Sequence, residues 1–282
     1  MKQRSKSKSI LFKVVVYSVC LLLAILSVLP FWVMFVNATR DTYQIQQTAL
    51  SLIPSTHLMD NIKILLGKTF DPMKGLTNSM IVSVSSTLLT IYFSALTAYA
   101  LVAYNWKLRS PFFTFILAVM MIPAQVSVIG FYQFMYKIGM TNNFLALILP
   151  SVAAPAAVFF MRQFMLASLP LELIEASRID GASEFYTFNK IVLPIMKPAM
   201  ATQAIFTFVS SWNSLFLPLV LLTDNDKYTM PIMVSLLRGD IYKTEYGAVY
   251  LGLALTVLPL FIAYFLLSRY IIEGVALGGV KG

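Results

Sequence analysis

Charged side chains are scarce in this sequence, and cysteine and histidine each occur once. Asp, Glu, Lys and Arg make up 12% of the 282 residues, whereas 59% are hydrophobic, which is more apolar surface than a water-soluble domain buries in one core. A lone Cys20 excludes a disulfide framework and a cysteine-based zinc site, and its place in an apolar run indicates packing. We therefore expect an integral membrane protein.

The long apolar runs contain no Asp, Glu, Lys, Arg or His. Uncharged apolar stretches of at least about 18 residues are long enough to cross a hydrocarbon core of roughly 30 Å. Six are predicted, at residues 14–36, 79–104, 112–134, 143–161, 199–222 and 247–268. Because proton-coupled carriers and voltage sensors place ionisable groups inside the membrane, both classes are disfavoured. The predicted fold is an all-α membrane protein, with a cytoplasmic N-terminus at 1–13 and one transmembrane domain at 14–282.

Catalytic and cofactor-binding patterns are also missing. His57 lies in a predicted loop without Ser/His/Asp or metal-ligand spacing around it, which favours a solvated loop residue over a ligand. The glycine-rich end, residues 274–282, lacks the Lys-Ser/Thr pair of a phosphate-binding loop. We expect no enzymatic activity, metal or cofactor in this chain; if ATP is used, another polypeptide binds it.

The basic residues indicate an orientation. With the N-terminus inside, 13 of the 21 Lys and Arg residues flank the spans on the cytoplasmic side, as the positive-inside tendency requires. Both termini are therefore predicted to be cytoplasmic, with outer loops at 37–78 and 223–246 and an inner loop at 162–198. The scattered cations form no basic stripe, so nucleic acid is not an expected partner.

The inner loop predicts a compact helix–turn–helix protrusion. Pro170 can open a helix over 171–180, and Gly181 can end it in a left-handed conformation. Ser183 can cap a second short helix, about 184–192, which is expected to end ahead of Pro194. The residues alone also allow an amphipathic loop whose cations meet anionic lipid headgroups.

The spacing inside this loop carries a family resemblance. Glu175-Ala176-Ser177 is followed after three residues by Gly181, after nine more by Ile191, and then by Leu193-Pro194. This pattern resembles the EAA signature of importer-type ABC transporter permeases. The rest of the chain is similar to carbohydrate permeases of the maltose type, specifically the smaller six-span partner, at Asn78-Ser79, at Ser211-Trp212-Asn213 and at the C-terminal end. Ser177 departs from the alanine of the signature, although one small residue replaces another.

The resemblance implies a function and a set of partners. The loop would be a coupling helix seated on a cytoplasmic ATPase dimer, beside a second permease subunit, and an extracellular or periplasmic solute-binding protein would meet the outer loop 223–246. The expected location is the cytoplasmic (inner) membrane of a prokaryote, and the expected activity is sugar or oligosaccharide import by alternating access. Glycerol-phosphate or a polyol is the alternative solute, and a non-transporting membrane scaffold or a membrane enzyme is the alternative class. The implied ATPase-docking residues are Glu175, Ala176, Ser177, Asp180, Gly181 and Ala182.

Polar and helix-breaking residues indicate a solute path. Ser211, Trp212 and Asn213 form a polar and aromatic group in span five, and hydroxyl, indole and amide groups suit a sugar. They could equally bond neighbouring helices, and in maltose-type systems the partner permease holds most sugar contacts. Gln125 joins the candidate path at a predicted break. The predicted breaks in spans three and four lie at Pro123, Gln125, Pro150 and Pro155.

Overall fold

A computed structural model describes residues 2–67, 71–237 and 244–279, with side chains described except at 2–11, 124 and 267–279. All regular elements in these ranges are helical, which confirms the predicted all-α class. The α-helices are α1 (Lys2–Asn37), α2 (Thr42–Gln47), α3 (Leu58–Gly67), α4 (Pro72–Ala103), α5 (Arg109–Met120), α6 (Ala124–Lys137), α7 (Leu145–Ile148), α8 (Pro155–Ser168), α9 (Leu171–Ile179), α10 (Glu184–Thr187), α11 (Leu193–Trp212), α12 (Phe216–Leu221), α13 (Met230–Leu237) and α14 (Tyr246–Gly279). Short 3₁₀ turns cover Leu149–Val152 and Asn225–Lys227, and a π-helical turn covers Phe188–Val192.

Several helical segments are long and apolar enough to cross a membrane. Within the described chain there are five, at Phe12–Asn37, Pro72–Ala103, Leu145–Ser168, Glu184–Trp212 and Tyr246–Leu266. A sixth is obtained when α5 and α6, whose axes differ by 101°, are counted together as one broken span. Pro123 lies at this break, where it lacks an amide donor and disfavours helix in the residue before it.

The fourth span is broken and longer than the sequence predicts. The 3₁₀ turn at Leu149–Val152 and the irregular residues 153–154 separate α7 from α8, so the predicted break near Pro150 and Pro155 is present. Helix α8 continues to Ser168, past the predicted end at 161. Arg162 therefore lies within a helix, where its guanidinium carbon is 4.0 Å from the centre of the Phe113 ring. The stem of a long cationic side chain can pack along apolar surface while its charged head extends to a polar environment. The charge of Arg162 is therefore compatible with a continuing helix.

The second short helix of the inner loop does not end ahead of Pro194, and that prediction is wrong. Helix α10, the π turn and α11 run without interruption from Glu184 to Trp212. Pro194 falls in the first turn after the hydrogen-bond spacing changes from five residues to four, where a missing donor is tolerated. The buried side chains of Phe188, Val192 and Met196 hold the three segments in one core.

The chain divides into two compact units. The larger comprises Pro72–Met233 and Leu258–Gly282, and α4 is its central helix because α8 and α11 both pack on it. Ala95 and Ala98, both fully buried, allow the neighbouring helices to approach α4 closely. Met161, Met165 and further apolar residues of α8 and α11 complete this core.

The smaller unit comprises Met1–Asp71 and Val234–Val257, and buried polar bonds fix its turn after α1. The Arg40 guanidinium donates to Asn37 Oδ1 at 3.0 Å and to the carbonyls of Thr48 and Gln44 at 2.6 and 2.8 Å. The Asn61 amide donates to the carbonyls of Ala38 and Arg40, both at 2.9 Å. The turn therefore has a bonding partner for each of these buried groups.

Gly247, in the first turn of α14, packs directly on this network. A Cβ there would overlap the Arg40 carbonyl oxygen and the Asn61 amide, so we expect Gly247→Ala to destabilise the protein by about 1–3 kcal/mol. Gly130 in α6 is the matched control, since no atom lies within 4 Å of its added Cβ and helix propensity favours Ala by up to about 1 kcal/mol. Melting temperatures of the purified protein in detergent measure both; an unchanged value for Gly247→Ala would contradict this packing.

Candidate functional site

The residues of the predicted docking loop form a helical hairpin, defined here as residues 171–187. Helix α9 ends at Ile179, and Gly181 follows with φ +78°, as predicted. The amides of Asp180 and Ala182 donate to the carbonyls of Ala176 and Ser177 at 2.9 and 3.0 Å, which closes the helix end. Ser183 then caps α10, because its Oγ accepts the Tyr186 amide at 3.3 Å.

The six predicted docking residues lie together on this hairpin with different exposures. Glu175, Ala176, Asp180 and Gly181 are exposed, and Ala182 is half-buried. Ser177 is buried, and its Oγ lies 2.7 Å from Thr187 Oγ1, so it joins the two helices of the hairpin. All of the six except Glu175 line one open cavity of about 640 Å³ at the turn.

Large apolar side chains surround the turn, and sequence reasoning missed them. Ile179 is 85% exposed, Phe185 72% and Tyr186 54%. Exposed apolar side chains gathered on one protrusion are typical of a surface that meets another protein. Their positions just before Asp180 and just after Glu184 are the available signal, but the predicted docking set contains acidic and small residues and no large apolar one.

The carboxylate of Glu184 anchors the hairpin to the end of α4. Its Oε1 accepts Arg178 Nε at 2.6 Å, and its Oε2 accepts the Tyr99 and Tyr104 hydroxyls at 3.0 and 2.5 Å. The hydrogen bond to Glu184 raises the pKa of the Arg178 guanidinium, while burial and then the bond to Glu184 raise the pKa of Tyr104. Tyr99 belongs to α4 and Tyr104 follows it, so one acidic residue ties the hairpin to that helix.

A second feature of the larger unit is a cavity of about 420 Å³ with hydroxyl groups along two walls. One wall is α4, where Ser79, Ser83, Ser86 and Thr90 share a face at spacings of four, three and four residues. Thr207, Ser210 and Ser211 line the other wall at the end of α11, Ser214 lies just after that helix, and Ser151 and Thr229 contribute further hydroxyls. The stripe on α4 was visible in the sequence as a helical repeat of small hydroxyl residues, but it was not recognised.

Two of the hydroxyls that line this cavity are buried without a hydrogen-bond partner in the described part of the chain, those of Ser83 and Thr229. Others are satisfied: Thr90 donates to the Ser151 carbonyl at 2.9 Å, and Ser79 Oγ accepts the Met230 amide at 2.8 Å. An unsatisfied buried hydroxyl costs about 1–3 kcal/mol. Both residues line the cavity, so a small rotation of either side chain would let its hydroxyl bond a polar solute or water there and offset that cost.

Of the four residues predicted for the solute path, one lines the cavity and three do not. Ser211 lines the cavity. Trp212 is 1% exposed and stacks on Phe208, with ring centres 5.6 Å apart, so it belongs to the helix core. Asn213 is exposed at the end of α11, and Gln125 is exposed in the first turn of α6. Asn213 is exposed because it lies at the end of α11. Gln125 is exposed beside the bend between α5 and α6.

The predicted outer loop 223–246 is described in part. Lys74 Nζ lies 2.6 Å from Asp226 Oδ1, Asn142 bonds Asp224, and Asn78 donates to the carbonyls of Asp226 and Tyr228 at 2.9 and 3.0 Å. These bonds hold the first part of the loop against α4 and the start of α7. Arg238, Asp240 and Lys243, which the sequence also assigns to this surface, lie outside the described residues.

Residues 90–276 match the family of binding-protein-dependent transport system inner membrane components. The chain is 36% identical to the arabinooligosaccharides transport system permease protein AraQ of Halalkalibacterium halodurans, over 92% of this chain and 93% of that one. It is 33% identical to the lactose transport system permease protein LacG of Rhizobium radiobacter, over 95% and 96%.

The chain is also similar to a permease for a phosphorylated solute and to a solved importer structure. The chain is 34% identical to the sn-glycerol-3-phosphate transport system permease protein UgpE of Escherichia coli O1:K1, over 87% of this chain and 89% of that one. Its fold is similar to a chain in the crystal structure of a bacterial ABC transporter involved in the import of the acidic polysaccharide alginate, with a TM-score of 0.79 and 21% identity, over 93% and 96%.

Replacing the Glu184 carboxylate tests its role in the hairpin. We expect Glu184→Gln to weaken the hairpin by about 1 kcal/mol, because the ion pair with Arg178 is lost from a half-exposed site. Amide hydrogen exchange of residues 180–187 should then accelerate roughly fivefold. Glu175→Gln, which removes an exposed charge from the same hairpin, should leave these rates unchanged. Equal rates in the two variants would contradict the anchoring role.

Proposed function

Because the chain belongs to the family of binding-protein-dependent transport system inner membrane components, the permease subunits of ABC importers, we propose that it moves a neutral polyhydroxylated solute, a sugar or oligosaccharide, across the cytoplasmic membrane by alternating access. The observation that carries this proposal is the cavity with hydroxyl groups on both walls. Hydroxyl side chains both donate and accept hydrogen bonds, as sugar hydroxyls do, so the two exchange partners readily.

The chemistry of the cavity favours a neutral solute over an anion. Its described lining includes ten Ser and Thr residues and one amide, Gln203, and no Lys, Arg, Asp or Glu. Phosphate recognition usually employs cationic donors, Arg above all. The similarity to UgpE nevertheless makes sn-glycerol 3-phosphate a second candidate, and the same experiments separate the two solutes.

The hairpin supports a partner on the cytoplasmic side. Its small residues around Gly181 and the exposed Ile179 and Phe185 offer both close backbone approach and apolar contact area. We assign this surface to an ATPase dimer, which would hydrolyse ATP in place of this chain. A second permease subunit would complete the solute path, and a solute-binding protein would meet the outer loop. Both termini are then cytoplasmic, in agreement with the charge bias.

A continuous helix connects the proposed docking surface to the proposed solute path. The helical segment Glu184–Trp212 has 29 residues, or roughly 40 Å at the rise of an α-helix. It begins at the Glu184 anchor and reaches Ser210 and Ser211 in the cavity wall. Because a packed helix transmits displacement along its axis, closure of the ATPase would move this wall as a rigid body.

Gly181→Val tests the coupling role of the hairpin. Valine at φ +78° is strained whatever the space around it, so the turn should deform. With the tagged chain co-purified with its partners and reconstituted in liposomes, we expect solute uptake to fall at least tenfold while the complex still assembles.

The matched control for this variant is Gly139→Val, since Gly139 has φ +69°, open space around it and a place outside the hairpin. It should keep uptake near the level of the unmodified protein. Unchanged uptake in Gly181→Val would overturn the docking assignment, and recovery of the chain without an ATPase from intact membranes would favour a scaffold.

Cysteine accessibility tests the cavity as a solute site. The chain has one cysteine, so Cys20→Ser gives a thiol-free background. There we expect Ser83→Cys to react with a small methanethiosulfonate reagent, and lactose or arabinotriose to slow the reaction severalfold, while sn-glycerol 3-phosphate does not.

Ser94→Cys is the control, because Ser94 is equally buried and unsatisfied on α4 but does not line the cavity. It should not react. If sn-glycerol 3-phosphate protects Ser83→Cys and the sugars do not, the second candidate solute replaces the first. If no solute protects a reactive Ser83→Cys, the cavity is a water-filled space and the solute proposal fails.

A further inference from the structure

A separate pocket of about 370 Å³ gathers positive charge at the start of α5. Lys107, Arg109 and Arg162 line it, together with Ser110, Trp106 and Phe113, and its described lining contains no Asp or Glu. It lies just beyond the end of α4, next to Tyr104, and so at the same end of the larger unit as the hairpin. Neither the hydroxyl cavity nor the docking surface uses these residues.

Arg162 is the most constrained of the three cations. Its guanidinium lies over the Phe113 ring, and its Nε is buried with no hydrogen-bond partner in the described chain. Arg109 lines the same pocket as Arg162, so the like charges of the two guanidinium groups oppose each other. A buried donor without an acceptor and two cations that repel each other are both unfavourable. An anion placed between them would relieve both costs.

The chain itself does not supply that anion in the part that the structure describes. Glu184 pairs with Arg178 and Asp226 pairs with Lys74, each at 2.6 Å, so neither carboxylate pairs with a cation of this pocket. Within the described residues, none of the three cations forms an ion pair. The α5 N-terminus, which has no side-chain cap, adds to the positive potential of the pocket.

The surface beside the pocket identifies the ligand as an amphiphile. Leu108 is 64% exposed, Phe112 41% and Phe115 62%, so an apolar strip follows α5 away from the three cations. Trp106, 37% exposed, lies at the junction of strip and pocket, the place that tryptophan prefers at a membrane interface. A free inorganic anion would use the pocket alone, whereas a lipid would cover both surfaces.

We propose that this pocket binds the headgroup phosphate of an anionic phospholipid whose acyl chains lie along α5. Basic pockets between helices at the cytoplasmic side of a membrane have the charge and shape for this ligand. Bidentate guanidinium donors suit phosphate oxygens, and Arg162 and Arg109 supply two of them. The three cations are separate from the hydroxyl cavity and from the cavity at the turn of the hairpin, because none of them lines either one.

Native mass spectrometry of the chain, released from nanodiscs of phosphatidylcholine mixed with phosphatidylglycerol, tests the proposal. We expect phosphatidylglycerol to be retained in preference to phosphatidylcholine. Arg162→Gln and Arg109→Gln should each lower that retention roughly fivefold, because each removes a phosphate donor. Lys190→Gln, which removes an exposed cation outside the pocket, should retain the lipid as the unmodified chain does.

Three results would overturn the proposal. Equal retention in the Arg162→Gln, Arg109→Gln and unmodified chains would show that the pocket holds no lipid. Equal loss in Lys190→Gln would reduce the effect to general surface charge. Displacement of phosphatidylglycerol from the unmodified chain by equimolar inorganic phosphate would identify a free-anion site. Since Arg109 is only half-buried, its variant provides the readout even if Arg162→Gln folds poorly.

Discussion

The hydrogen bonds of the Glu184 carboxylate join the hairpin to the two helices that line the hydroxyl cavity. Glu184 holds Arg178 across the turn and two tyrosine hydroxyls at the end of α4, and it opens the long helix that leads to Trp212. A hairpin attached only through its chain ends would move separately from the spans. With this anchor, the hairpin, α4 and the helix Glu184–Trp212 form one mechanical body, and a push on the exposed turn reaches the cavity wall.

The hairpin was the part of the site most accessible to sequence reasoning. Gly181 and Ser183 act locally, through a backbone angle and a cap, and local effects can be read from neighbouring residues. The end of α8 at Ser168 and the position of Pro194 inside a continuous helix could not be read in this way. Arg162 is accommodated within α8 by packing over Phe113. The π turn before Pro194 packs through Phe188 and Val192 into the core. Both features depend on contacts between segments distant in sequence.

The solute path shows a different limit of sequence reasoning. Trp212 has the size and chemistry of a sugar-binding residue, yet its ring is buried and stacks on Phe208, one turn earlier in the same helix. Single Ser and Thr residues in a span commonly bond their own helix, so the sequence alone does not identify the hydroxyl stripe on α4 as the wall of a cavity. Only the facing stripe on α11, more than 100 positions later in the chain, turns these residues into the wall of a shared space.

The stripe on α4 also limits how that helix can move. Ser79, Ser83, Ser86 and Thr90 form one side of the helix, while Ile81, Val84 and Leu88 are exposed on other sides. One residue corresponds to about 100° of turn around an α-helix. A twist of that size about the axis would exchange a wet wall for a dry one and close the passage to polar solutes. Motions that keep the passage wet must therefore tilt or slide α4 without spinning it.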